Sequence, residues 1–355
     1  MYDIFRNNRG IALLLTISVT TILVAAALEY NRQARVMLIS TATTRNSITL
    51  SQMTASGINL AMAMLIKDKS ESPTDSLLED WADAEKIEAL LAEIPFEDGQ
   101  LAVKIIDEMG KIQVNALVAF PNKNAFNETQ LNLWDRFLNK VGDADQMQED
   151  SEPIAIINSV KDWLDSGDDD AITGLSGAES DYYKDLDPPY ASRNSPIPDL
   201  DELLLVKGIT PDLYYGGDET PGMSQFMTIH GVAESGPAFQ YPGRININTA
   251  DFAVLMALMP LEDEGLIQAM LEYRQEAMED KESPDFSNPK WYKDIPGFGD
   301  INLNTNLITT SSDIFRIEAA AKLHDTKLKT VTVVQRVQRS KTGKWSCKVL
   351  SWKTD

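Results

Sequence analysis

Cysteine occurs once in the 355 residues, at Cys347, and histidine twice, at His230 and His324. A single cysteine excludes an intrachain disulfide and leaves the redox compartment unreadable from thiols. Neither histidine sits in a metal or triad motif, and the chain has no P-loop, no G-x-S-x-G elbow and no Cys/His cluster. Paired carboxylates could serve a glycosidase, but among 54 acidic residues such pairs arise by chance. Catalysis is therefore not expected. Basic residues are also scarce: 32 Lys and Arg against those 54 acids give a net charge of −22. That charge repels phosphate backbones and anionic lipid surfaces, and favours cations and basic protein surfaces as partners. What is present is ordinary for a folded protein, with 43% hydrophobic and 24% charged residues. The length allows more than one folding unit.

Ile11 to Leu28 carry no charge. At the helical rise of about 1.5 Å per residue this run reaches roughly 27 Å, close to a bilayer's hydrocarbon thickness. Before it, Met1 to Gly10 hold Arg6 and Arg9 against Asp3, so the leader stays cytoplasmic and the bulk faces outward. A secretory signal would end in a small-x-small cleavage site, yet helical composition continues through Glu29-Tyr-Asn-Arg-Gln-Ala-Arg35 without Pro or Gly before Gly57. The apolar run is thus the start of a long helix. Arg9-Gly10 followed by Ile-Ala-Leu-Leu-Leu resembles the prepilin signal, which implies peptidase cleavage after Gly10 and methylation of a new N-terminus at Ile11. Most members of that superfamily have Glu at mature position five, where this chain has Leu15. A plain signal anchor holding a periplasmic enzyme or a calcium-binding acidic domain is the alternative reading of the same apolar run.

Helical periodicity runs from Tyr30 to about Lys67 and again over Asp75 to Ile94, ending at Pro95. Gln100 to Ile106 and Lys111 to Leu117 read as a hairpin turning at Asp107-Glu-Met-Gly110. Leu131 to Val141, Ile154 to Leu164, Asp251 to Leu258 and Glu262 to Ala277 read as helices. Phe315 to Ala321, Thr330 to Gln338 and Trp345 to Trp352 alternate as strands, with Lys341-Thr-Gly343 as the last turn. The predicted class is α+β. It has a leader over 1–10, a transmembrane and stalk helix over 11–67, and a pilin-like core with an antiparallel sheet over 68–120 and 305–355. A mainly α-helical insertion over 121–304 completes it, including a helix-hairpin-helix-like (SAM-like) segment at 243–299. Such modules bind phosphate through glycine-rich hairpin amides. Here the inter-helix segment Met259-Pro-Leu-Glu-Asp-Glu-Gly265 would turn three acids toward it, so nucleic acid is not an expected partner.

Between residues 162 and 183, Asp162-Trp-Leu-Asp165-Ser-Gly-Asp168-Asp-Asp170 and Gly177-Ala-Glu179-Ser-Asp181-Tyr-Tyr183 place six acids besides Asp162. Hard oxygen donors at that density suit Ca²⁺, or form a solvated acidic loop. The spacing is not an EF-hand, since position twelve after Asp165 is Gly177. The stretch resembles the minor pseudopilin K family of type II secretion, as do Asp187-Pro-Pro-Tyr190, Leu203-Leu-Leu-Val-Lys-Gly208, Gly243-Arg-Ile-Asn-Ile-Asn-Thr-Ala250 and Ile295-Pro-Gly297. That resemblance implies Ca²⁺ held by Asp165, Asp168, Asp170, Glu179 and Asp181, and a non-enzymatic role at the tip of a pseudopilus. The Leu15 departure fits a tip, because the family typically lacks the Glu that elsewhere pairs with the subunit above. The implied partners are the minor pseudopilins I and J, the major pseudopilin, the prepilin peptidase, the inner membrane and exported substrates.

Overall fold

The computed structural model describes residues 10–94, 96, 98–121, 125–141, 152–167, 172–217, 220–235, 238–260, 263–279, 284–340 and 342–355. Its first element, α1, runs from Ile11 to Glu71. It is long and apolar enough near its N-terminus to cross a membrane. Side chains are exposed along α1 until Leu50, where the inward row Leu50, Met53, Gly57, Ile58, Ala61 and Leu65 begins at helical spacing. Gly57 lets a sheet approach: a Cβ there would lie 2.7 Å from Val103 Cγ2.

That sheet has four antiparallel strands in the order β1 (Gln100–Asp107), β8 (Ile314–Leu323), β9 (Thr326–Gln338) and β10 (Trp345–Thr354). After α1 come α2 (Ala84–Ala92) and β1 (Gln100–Asp107). The sequence predicts a longer helix from Asp75, but Asp83 caps α2 by accepting from the amides of Glu85 and Lys86, and the preceding turn instead buries Trp81. The predicted hairpin at Asp107–Gly110 is also corrected. The Asp107 carboxylate accepts from Met109 N at 2.8 Å and winds a 3₁₀ turn over Glu108–Gly110, which carries the chain away from the sheet. Consequently β2 (Ile112–Gln113) pairs in parallel with β3 (Met227–Thr228), and the partner of β1 is the distant β8.

The intervening chain forms α3 (Glu128–Val141), α4 (Pro153–Leu164), α5 (Ser180–Lys184) and α6 (Pro211–Tyr215), then β4 (Ala233–Ser235), β5 (Ala238–Gln240) and β6 (Ile245–Asn246). Two further helices, α7 (Phe252–Leu258) and α8 (Glu264–Glu279), precede β7 (Ile308–Thr309), which pairs in parallel with β6. One apolar core gathers Ile112–Phe120 with Trp134, Phe137, Trp163, Phe226, Leu255 and Trp291. The chain then closes the sheet with β8 (Ile314–Leu323), β9 (Thr326–Gln338) and β10 (Trp345–Thr354), whose alternation the sequence predicts. A second core beneath the sheet holds Ile58, Trp81, Phe315 and Val334. The α+β class with an apolar N-terminal helix and an antiparallel sheet is therefore the observed one.

Polar groups join the two cores. Buried Asp107 accepts from Asn246 Nδ2 at 2.9 Å, Thr249 Oγ1 at 2.6 Å and Ser312 Oγ at 2.5 Å. Beside it, buried Glu108 accepts from Lys111 Nζ at 2.9 Å, Arg316 Nε at 2.7 Å and Thr228 Oγ1 at 2.6 Å. Arg336, fully buried, ties α1 to the strap at Asp75, with Nη1 2.9 Å from Asp68 and Nη2 on Asp75 and the Ser312 carbonyl.

Candidate functional site

Helix α4 is buried from Ala155 to Leu164, all but its first two residues. It is pinned by Trp163, whose ring packs edge-on against Tyr183 at 5.0 Å and whose indole N–H donates to Glu202 at 2.9 Å. With the helix so fixed, Asp162 and Asp165, three residues apart, share the face that meets the returning 172–179 segment. The Asp162 carboxylate accepts from Thr173 N at 3.1 and 3.2 Å. Glu179, just before α5, closes the group: one oxygen each from Asp162, Asp165 and Glu179 lie within 4.8 Å of one another, all three residues buried.

Lys161 faces two of these carboxylates from within the protein. Lys161 Nζ lies 2.5 Å from Asp165 Oδ2 and 3.8 Å from Asp162 Oδ1, and also donates to Thr173 Oγ1 at 2.8 Å. Burial raises the Asp162 carboxyl above its ordinary range, only partly offset by the Thr173 hydrogen bonds and Lys161. A carboxyl whose pKa is raised by burial is one whose ionised form a bound cation would stabilise. Gly177 makes the approach possible, since a Cβ there would sit 2.1 Å from Asp162 Oδ2 and 2.9 Å from the Thr173 backbone.

The other convergence of carboxylates among the described residues, Asp68, Asp75 and Glu79, differs in its charge balance. It contains the buried Arg336 and also Lys69, whose Nζ lies 3.4 Å from Asp75. That group is an internally countered network around Arg336, whereas in the α4 group Lys161 pairs with Asp162 and Asp165 and Glu179 accepts from Ser192 Oγ at 3.4 Å.

Of the residues singled out in the sequence, Asp165 and Glu179 come together and Asp181 does not. Asp181 opens α5 one residue past Ser180, points to solvent and pairs with Lys184 at 3.4 Å. Asp168 and Asp170 lie outside the described residues. Asp162, not among the singled-out ligands, is the third member; its i,i+3 relation to Asp165 on a helix was the signal available. Gly10 stands just before α1 and Ile11 is its first residue, both exposed.

Comparison with known proteins bears on this same segment. Residues 110–216, which hold α3 to α6 and the acidic pocket, match the family described as type II secretion system (T2SS), protein K. The family resemblance carried by the acidic motifs is thereby borne out. Type II secretion system protein K of Klebsiella pneumoniae is 26% identical over 217 residues, covering 59% of this chain and 60% of that protein. The Aeromonas hydrophila protein of the same name is likewise 26% identical over 217 residues, covering 61% of its own length. The chain thus spans about three fifths of the curated relatives it matches. In fold, it resembles a chain of the crystal structure of the GspK-GspI-GspJ complex from the enterotoxigenic Escherichia coli Type 2 Secretion System, with a TM-score of 0.63 at 17% identity. That likeness covers 89% of this chain and 99% of the other.

Proposed function

We propose that the chain is a minor pseudopilin of a type II secretion system, anchored in the inner membrane by Ile11–Leu28 with its folded bulk in the periplasm, and that it caps the tip of the pseudopilus. The observation that carries this reading is the protein K domain, inserted into an antiparallel sheet that rides on one 61-residue helix. The largely exposed first two thirds of α1 offers the lateral packing surface a helical filament needs. Leu15 in place of Glu suits a subunit with nothing above it. The related structure, solved with I and J proteins, supports those two as companions, with the major pseudopilin below and exported proteins above. The role is structural, and no reaction is assigned.

The α4 pocket is proposed to hold Ca²⁺, with Asp162, Asp165 and Glu179 as the carboxylates that would bind it and Asp168 and Asp170 as candidates for the rest of the shell. Hard carboxylate oxygens on an irregular loop suit Ca²⁺ better than Mg²⁺, which demands strict octahedral geometry. When bound, the ion would neutralise carboxylates that otherwise repel one another and fasten the 172–179 segment to α4.

Intact mass spectrometry on protein recovered from its native membrane tests the assignment. A mass beginning at N-methylated Ile11 is expected from prepilin peptidase processing at Gly10. A mass that includes Met1 would leave only a signal anchor and remove the basis for placing the chain in a pseudopilus.

A further inference from the structure

The strap over residues 72–83, between α1 and α2, touches every part of the fold. Its Asp75 amide donates to the Thr310 carbonyl at 3.0 Å, and the Asp75 carbonyl accepts from Asn246 and Asn248 of the inserted unit at 3.0 and 3.2 Å. The Asp75 carboxylate accepts from Ser312 N at 2.8 Å and from Arg336 of β9. Trp81 plugs the strap into the core beneath the sheet, edge-on to Phe315 at 5.1 Å.

Three carboxylates converge at this strap: one oxygen each of Asp68, Asp75 and Glu79 lie within 4.8 Å of one another. The cations in reach are committed to other acids. Arg336 holds Asp68 at 2.9 Å and also Asp75, while Lys69 lies 3.4 Å from Asp75 and 3.8 Å from Asp313. Glu79 enters no ion pair among the described residues, and its Oε2 accepts from Ser76 N at 3.1 Å and Trp81 Nε1 at 2.7 Å. Nearby Asp80 and Lys67 are exposed and pair with Lys86 and Glu71. From β10, Cys347 faces Arg336 with its thiol pushed up to about 11 by burial, so it stays neutral. Across the Ser312 hydroxyl lies Asp107 of β1, at 2.5 Å. Two cations thus stand against three convergent acids and Asp313, and the excess charge falls on Glu79. Burial, reinforced by Asp68 and Asp75, pushes the Glu79 carboxyl up to about 8.

We propose that Glu79 makes the 72–83 strap a pH-operated clasp: with its proton the strap ties α1 to the sheet and the inserted unit, and without it the strap is released. A carboxyl raised in the closed state holds its proton more tightly there than in the open strap. The closed state is therefore favoured most below the ordinary 4.5 and loses ground as pH rises toward 8. Asp68, pushed up to about 6 by burial and Asp75 against the pull of Arg336, works in the same direction at lower pH. The clasp operates within one chain, so its failure would leave the pseudopilin reading standing.

Hydrogen–deuterium exchange of the full chain in detergent micelles, read by mass spectrometry at pH 6 and pH 8 and corrected for the intrinsic rate, tests the clasp. One released proton changes an opening equilibrium by up to about tenfold per pH unit. Protection of the strap peptide, including the Asp75 amide, should fall at least roughly tenfold over that range, while the β9 peptide keeps its protection. Glu79→Gln, which keeps the acceptor for Ser76 and Trp81 but cannot ionise, should make strap protection independent of pH. Wild-type protection that does not change between pH 6 and 8 overturns the clasp whatever the variant does. So does a Glu79→Gln strap that loosens as the wild type does, or a β9 peptide that loosens by the same factor as the strap.

Discussion

Asp162 and Gly177 make a pair in which each constrains the other: a buried carboxylate, and a residue whose missing Cβ makes room for it. Gly177→Ala should force Asp162 and the Thr173 backbone apart and lower the melting temperature, read by circular dichroism. Calcium should stabilise the wild-type chain by roughly 3 kcal/mol at a hundredfold excess over its dissociation constant. Asp162→Asn should abolish most of that increment, and a chelator should reverse it in the wild type alone. A melting temperature that ignores both calcium and chelator would remove the ion from the pocket. In the sequence, the density of acids showed that the region was special, but density does not say which carboxylates converge. Glu179 and Asp181 are two apart at the start of a short helix, and that spacing sends one inward and the other to solvent.

Among the elements, the 3₁₀ turn Glu108–Gly110 decides the topology, and Glu108 is its buried charge. Burial alone would raise this carboxyl, but Lys111 and Arg316 outweigh burial and hold it at about 2. Because the folded value lies below the ordinary 4.5, the group contributes stability above pH 4.5 and loses it as pH falls toward 2. The contribution is roughly 3 kcal/mol at neutral pH. Urea unfolding of Glu108→Gln should therefore show a deficit of about that size at pH 7, shrinking steadily between pH 4.5 and 2. Asp107 next door works in the opposite sense: burial, only partly offset by Ser312 and Thr249, lifts it to about 6, so protonation through that pH favours the fold. Helices α3, α4, α7 and α8 and strands β8 to β10 were legible because each carries its own periodicity. The pairing of β1 was not, since a strand's pattern records which side is buried and says nothing about which distant strand lies beside it. The helix expected from Asp75 was overridden by burial of Trp81 and by the cap at Asp83, a tertiary contact and a local hydrogen bond that periodicity does not weigh.

Across the whole molecule, two apolar cores meet at a seam made of carboxylates, amides and hydroxyls. The excess of ten Lys and Arg over two acids in Ile314 to Thr354, plain in the sequence once the strands are known, passes unnoticed when charge is summed over the entire chain. Asp107 at the end of β1 stands directly opposite Phe315 on β8, so the chain leaves the sheet and returns to it at neighbouring positions. Ends already held together cost little extra loop-closure entropy however much chain lies between them. Replacing residues 110–312 with a short glycine-rich turn should therefore leave a sheet that still folds on α1, detectable as a cooperative melt with native strand signals. The strands β1 and β8 are in effect the arms of one hairpin, and everything the protein K domain contributes is carried on its turn. Such a turn can lengthen, shrink or exchange its contents while the arms keep their register.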